Sequence, residues 1–294
     1  MRRVLGPLIL LAASCAAQSL NGVIDIHVHS DPDSVPRSID AIDAIDIARL
    51  AKSRGMRGLV LKNHYESTAS LAYLVRKEVP GIEIFGGIDL NRTVGGINPA
   101  AVERMTMVKG GWGRVVWMPT FDAENQVRYS KENRPYVPVA RNGQLLPDVR
   151  EVIGLIAKHH LVLATGHSSP TEGLMLVREG RRQGVEHMVV THAMLAPVRM
   201  SVAQMREAAA EGAYIEFVYN ALIGPNKMFE LPEYVTAIRE VGPQHVILSS
   251  DLGQANNPLH PDGLASFFTG LGKSGFTPTE IDQMSKTNPA RLLE

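Results

Sequence analysis

The stretch Val23-Ile24-Asp25-Ile26-His27-Val28-His29 limits what this chain can fold into more than any other. Branched apolar residues alternate with polar ones, the period of a strand, and the run closes on two histidines spaced i, i+2. Successive strand side chains point to opposite faces. His27 and His29 are therefore expected on one face with Asp25 a step below them, and Ile24, Ile26 and Val28 on the other. Two neutral imidazoles on one rigid face make half of a metal site. A lone H-x-H is a weak signal, so the partners must come from elsewhere in the chain.

The rest of the sequence repeats a strand–helix unit. Strand starts fall near residues 23, 58, 82, 114, 161, 187, 213 and 246. Between them run helical stripes. Ser38 reads as the cap of one that carries Ile39, Ile42, Ile45 and Ile47 and ends at Gly55; Asn98-Pro99 opens another, and Ser201 begins one that runs to Glu211. Intervals of 24 to 35 residues suit β–helix units, and eight of them predict an α/β fold, the closed (β/α)8 TIM barrel. An open doubly wound sheet is the alternative, but no G-x-G-x-x-G follows the first strand. The one long interval, 47 residues between strands four and five, contains Asn142-Gly143, the signature of a hairpin turn between Tyr136–Val139 and Leu145-Leu146. An excursion in a βα loop is expected on the face of a barrel that carries sites, either as lid or wall or as plain decoration.

Composition narrows the class. With 45% hydrophobic residues, 20% charged ones and no net charge, the 294-residue chain has no basic excess, and nucleic acid is not an expected partner. Arg2 and Arg3, the apolar run Val4–Ala13 and the small residues before Gln18 read as a signal peptide over residues 1–17. Residues 18–294 then form the barrel, with a charge of −2 once the two arginines are gone. The expectation is an exported protein, periplasmic or secreted. Acylation of Cys15, the sole cysteine, fits less well because Ala12-Ala13-Ser14 is a poor lipobox. The leader is too short to span a membrane, and no later stretch does so. An oligomer is compatible with the sequence.

The last polar residue of each strand supplies the missing partners. Strand one ends in His27 and His29, strand five in His167, strand six in His192 and strand eight in Asp251. All strand C-termini of a barrel meet on one face, so these residues are expected to converge there. Four imidazoles and a carboxylate suit a divalent transition metal, Zn²⁺ before Mg²⁺. No G-x-S-x-G occurs, which argues against a serine hydrolase.

These motifs resemble the amidohydrolase superfamily of metal-dependent barrel hydrolases along the whole mature chain: Asp25-Ile26-His27-Val28-His29, Thr165-Gly166-His167, Thr191-His192-Ala193, Ser249-Ser250-Asp251 and the closing Met284–Leu292. The resemblance implies that His27, His29, His167, His192 and Asp251 surround one or two metal ions, with Asp251 also handling a proton. It assigns no subfamily. Binuclear members carry a bridging carboxylated lysine or a glutamate at the end of strand four, where this chain has Val115-Val116-Trp117-Met118-Pro119. Lys62, at the end of strand two, is the alternative: a carboxylated bridge, an ammonium for a substrate carboxylate, or one half of an ion pair with Asp25 or Glu216. His64, Glu216 and His260 are candidate substrate contacts. His159, His160, His187 and His245 fall on the opposite end of the barrel and read as structural.

The expected activity is hydrolysis of an amide, cyclic amide or lactone carbonyl in a small molecule. The metal would acidify water, Asp251 would take the proton, and His192 would bind metal or polarise the carbonyl. The rivals are a phosphoesterase, a decarboxylase, and a catalytically silent metal- or ligand-binding protein of the periplasm.

Overall fold

Short runs of branched apolar residues, bounded by glycine and polar turns, form the strands. The computed structural model describes residues 19–33, 42–254 and 256–294. Strands β1 (Ile24–Val28), β2 (Gly58–Leu61), β3 (Glu83–Asp89) and β4 (Gly113–Trp117) precede a small hairpin, β5 (Ala140–Arg141) with β6 (Gln144–Leu145). Strands β7 (Val162–Ala164), β8 (His187–Val190), β9 (Tyr214–Val218) and β10 (Val246–Ser249) follow. Helices α1 (Ala44–Ser53), α2 (Ala69–Glu78), α3 (Pro99–Thr106), α4 (Glu124–Tyr129), α5 (Pro147–Lys158) and α6 (Pro170–Arg182) lie in the first two thirds. Then come α7 (Val202–Ala210), α8 (Leu231–Val241), α9 (His260–Lys273), α10 (Pro278–Asp282) and α11 (Asn288–Leu293).

All strands but the hairpin pair in parallel in the order β1-β2-β3-β4-β7-β8-β9-β10. The seam between first and last closes just past the end of β10: Asp251 N donates to His27 O at 3.0 Å, and His29 N donates to Leu252 O at 3.0 Å. The expected (β/α)8 barrel is the observed one.

Two apolar layers follow from strand alternation. Leu59, Leu61, Val116 and Leu163 pack outward on the helices, while Val60, Val115, Val162 and Ile247 fill the axis together with Leu292 and Leu293 of α11. Helix starts follow local chemistry. Ser169 with Glu172, Ser201 with Gln204 and Thr277 with Glu280 form capping boxes. Asp43, not Ser38, caps α1, its carboxylate accepting from Ile45 N and Asp46 N at 2.8 Å each. The leader with Cys15, and Ser38 with Ile39, lie outside the described residues.

The first strand departs from simple alternation. Asp25 is in register with Leu59 and Val28 with Leu61, so Ile26 and His27 together oppose Val60. This is a β-bulge, and one extra residue reverses the parity beyond it. Ile24 and Ile26 therefore face the axis and Val28 the helices, correcting the single apolar face expected for all three. His27 still shares the inner face with His29, but Asp25 stands on the outward row and not beneath them. Its Oδ1 accepts from His27 N at 3.2 Å, the backbone group the bulge displaces, and from Ser250 N at 3.0 Å across the seam. Burial pushes the Asp25 carboxyl up to about 6.

In the excursion, Asn142 (φ 50°) and Gly143 (φ 73°) make the expected turn, but the ladder is only two residues deep on each side. Ahead of it lies a short helix, α4, that sequence reading left out. No helix among the described residues is long and apolar enough to cross a membrane.

Candidate metal centre

The bulge sets the geometry of the site. By turning His27 inward, it places the two imidazoles at the end of β1 beside Asp251, the second residue past β10. His27 Nε2 and His29 Nε2 each lie 3.1 Å from Asp251 Oδ1, and ligand atoms of the three residues all fall within 4.8 Å of one another. All three side chains are buried.

Surrounding groups fix their orientation. Glu216 on β9 accepts from His27 Nδ1 at 3.1 Å, from Ser249 Oγ at 2.7 Å and, through its other oxygen, from His192 N at 2.7 Å. A carboxylate on the far nitrogen holds an imidazole in the tautomer whose Nε2 lone pair is available to a metal. Asn220 Nδ2 donates to Asp251 Oδ2 at 3.2 Å, which leaves Oδ1 for the cluster. Burial alone would raise the Asp251 carboxyl, but His27, His29 and His192 hold it well below the usual carboxylate range. The same contest, won by His27, His192 and Ser249 over burial, lowers Glu216.

The donor set fits a divalent transition metal. With its Nδ1 proton given to Glu216, His27 turns the Nε2 lone pair toward Asp251 Oδ1, and two electron-pair donors so placed are drawn together by a shared cation. Nitrogen and oxygen ligands of a tetrahedral zinc lie ~3.4 Å apart, close to the 3.1 Å seen here. His167 and His192 stand beside the cluster, their rings 4.8 Å apart and His192 5.9 Å from His27. His192 Nδ1 is buried and has no hydrogen-bond partner among the described residues, as a ligand-binding nitrogen would be. Gln126 of α4 accepts from His167 Nδ1 at 2.8 Å. Burial, ahead of every nearby charge, pushes His192 down to about 4 and His167 well below its ordinary value. Both residues at the centre of this end, His192 (φ 27°) and Asp251 (φ 51°), sit at positive φ, a strained backbone typical of functional positions.

Lys62 reaches the same floor, with Nζ 3.1 Å from His27 Nε2. Its carboxylate neighbour is Asp89 at the end of β3, 3.8 Å away, and not the expected Asp25 or Glu216. Asp25 faces outward and Glu216 is committed to His27. The inward position of β4 holds Trp117, whose ring lies 5.6 Å from Lys62 Nζ. His64 stacks on Phe121 with ring centres 3.8 Å apart, and its Nδ1 is 2.8 Å from Thr120 Oγ1 and 3.2 Å from Asp89 Oδ2.

A cavity of about 460 Å³ opens above this floor. Of the three candidate substrate contacts, only His64 lines it. Glu216 lies behind His27. His260 is fully buried and donates from Nε2 to the carbonyls of His29 (3.0 Å) and Leu252 (2.9 Å), bracing the seam. The excursion does contribute a wall, but through Gln126 and Tyr129 of α4 and not through the hairpin. Asp89 and Asn220 were missed by sequence reading. Asp89 was findable by the strand-end rule that found Asp251; Asn220, two residues beyond β9, had no signal.

Solved structures share this fold. Organophosphorus hydrolase from Deinococcus radiodurans aligns with a TM-score of 0.63 at 16% identity over 95% of this chain and 94% of that one. An amidohydrolase from Pseudomonas aeruginosa gives 0.63 at 13%, over 94% and 97%. A chain engineered for organophosphate hydrolysis from a weak promiscuous lactonase template gives 0.63 at 16%, over 95% and 98%. At 13–16% identity these likenesses show a shared fold, the (β/α)8 barrel, along nearly the whole chain. Among curated proteins no relative matches the sequence. Residues 22–216, more than half of the chain, match the model described as "Family of unknown function (DUF6282)", and the chain belongs to that family.

Proposed function

We propose that this protein is a metal-dependent hydrolase that adds water to the carbonyl of an amide, cyclic amide or lactone. The observation that carries the reading is the buried convergence of His27, His29 and Asp251 at the floor of an open cavity. The structural neighbours, an organophosphorus hydrolase, an amidohydrolase and an organophosphate hydrolase engineered from a lactonase, support it.

When bound, a divalent cation, zinc by the softness of the donors, supplies Lewis acidity and makes water acidic near neutral pH. His27 and His29 would hold it through Nε2 and Asp251 through Oδ1, with His167 and His192 alongside. In the reaction, water's oxygen bonds to the carbonyl carbon and the C–N or C–O bond breaks. One proton moves from water to the leaving nitrogen or oxygen. Asp251, ionised at neutral pH, carries it. His192, kept neutral by burial, offers a ring N–H to the carbonyl oxygen.

Lys62 acts as an ammonium. Its Nζ lies 3.8 Å from an Asp89 carboxylate oxygen and 5.6 Å from the Trp117 ring centre, surroundings that suit a cation. Carboxylation would place a second negative group against buried Asp89. The site therefore holds one metal ion. Elemental analysis of zinc-reconstituted protein should find one zinc per chain, lost in His27→Ala and retained in Lys62→Met. Unchanged metal in His27→Ala would overturn the site; a loss in Lys62→Met, together with zinc uptake by the wild type that depends on bicarbonate, would restore the carboxylated bridge.

A further inference from the structure

We infer that the cavity takes an uncharged substrate whose reacting carbonyl carries an apolar arm laid across the mouth. This rests on the hydrolytic reading of the floor and adds the substrate class.

Five large hydrophobic side chains are exposed among the described residues, and three of them, Phe121 (37%), Tyr129 (48%) and Met228 (43%), line this one cavity. Single exposed hydrophobics are ordinary, but three gathered around one mouth mark a binding surface. They come from the loop after β4, from α4 and from the loop after β9, so the apolar rim spans opposite sides of the opening. Leu195 and Pro225 extend it. Phe121 is held flat on His64, so the rim is preorganised.

The charge of the cavity points the same way. No arginine lines it among the described residues, and its only lysine, Lys62, lies 3.8 Å from Asp89 at the floor. The cations next in sequence to rim residues Tyr129 and Met228 are paired: Arg128 with Glu124 at 2.6 Å and Lys227 with Glu230 at 2.7 Å. The remaining polar wall is built of neutral amides, Gln126, Asn220, Asn226 and Gln254. Above the metal floor, the mouth offers no guanidinium or ammonium among the described residues to seat a remote anionic group such as a substrate's terminal carboxylate. A neutral carbonyl with an alkyl or aryl arm meets amides below and apolar surface above.

The test uses zinc-loaded protein and a series of ethyl esters, acetate to hexanoate, with monoethyl succinate as the anionic counterpart. Hydrolysis adds water across the acyl C–O bond to give ethanol and the acid, which titration at constant pH follows. Full burial of a methylene is worth up to about fourfold, and a half-open mouth about twofold. kcat/KM should therefore rise about tenfold or more from acetate to hexanoate, mainly through KM. Phe121→Ala and Met228→Ala should flatten that rise, and monoethyl succinate should be the poorest substrate. A flat series, or preference for the succinate, overturns the inference while leaving hydrolysis intact. If no ester is turned over, calorimetric titration with acetamide and hexanamide separates the two readings. Hexanamide binding about tenfold tighter than acetamide, weakened in Phe121→Ala and accompanied by no release of ammonia, sustains the apolar-arm site and overturns hydrolysis of open-chain carbonyls. Equal affinity for both amides overturns the inference.

Discussion

Below Ile26 the barrel axis is filled by Ile24, Val60, Val115, Val162 and Val189 and stoppered by Leu292 and Leu293 of α11. One layer above, at the same depth from solvent, lie His27, His29, Lys62, Asp89, Glu216 and Asp251. The lower layer is held by contact area and shape, where any apolar group of similar volume would serve. The upper layer is held by pairwise commitments: Glu216 to His27, Asn220 to Asp251, Asp89 to Lys62. Removing one member there leaves a buried polar or charged group of its partner unsatisfied. The lower half thus makes the barrel and the upper half spends that rigidity on holding chemistry in register.

Three substitutions sharpen or break this division. The largest effect is expected from Asp251→Asn, which keeps the shape and an oxygen but cannot take a proton. Turnover should fall by on the order of 10²–10⁴ with zinc content retained, and a near wild-type rate would pass the proton to His64. Next is Leu292→Ala in the lower half, which should cost roughly 2–5 kcal/mol of stability by denaturant unfolding. Its zinc stoichiometry should be unchanged; a loss of zinc would show that the two layers are not separable. The smallest effect belongs to Asp25→Asn, at the junction of the layers. A carboxyl raised on folding from 3.8 to about 6 stabilises the fold fully below the lower value and ceases to do so as pH rises through the higher one. Asparagine keeps the Oδ1 acceptor and removes the charge. In metal-free protein, the stability of the wild type relative to the variant should fall by on the order of 1–3 kcal/mol between pH 4 and pH 6. Parallel pH profiles would show that Asp25 is not the group responsible.

The lower half was legible because it follows one rule per element: period-two apolar runs at regular spacing, and capping residues such as Ser201 and Asn98 at helix starts. The convergence of His27, His29 and Asp251 was legible for the same topological reason, since parallel strands end on one face. Depth and parity were not. A bulge costs a single residue and leaves no mark in composition, so Asp25 was assigned to the wrong row. Glu216 and His260 were placed near the right end of the barrel, but sequence does not say whether a group faces the cavity or lies behind a ligand. The partner of Lys62 depends on how far β3 runs past the end of β2, which brings Asp89 within 3.8 Å, and that is a property of the pair of strands.

The seam between β1 and β10 has a consequence for how the chain folds. His29 and Asp251 are 222 residues apart in sequence, and joining such distant points costs on the order of 5 kcal/mol of chain entropy. The contacts that repay so large a closure form late, and main-chain bonds at this seam are few compared with the full ladders elsewhere in the sheet. A cation shared by the first and last strands binds only the closed ring, so its occupancy and ring closure are a single equilibrium. Amide hydrogens at the seam, those of His29 and Asp251, should then exchange more slowly as zinc is added, while those between β3 and β4 on the opposite wall keep their rates. The ion would act as a clasp on a hoop, and its removal would loosen the hoop at the join before any other wall yields.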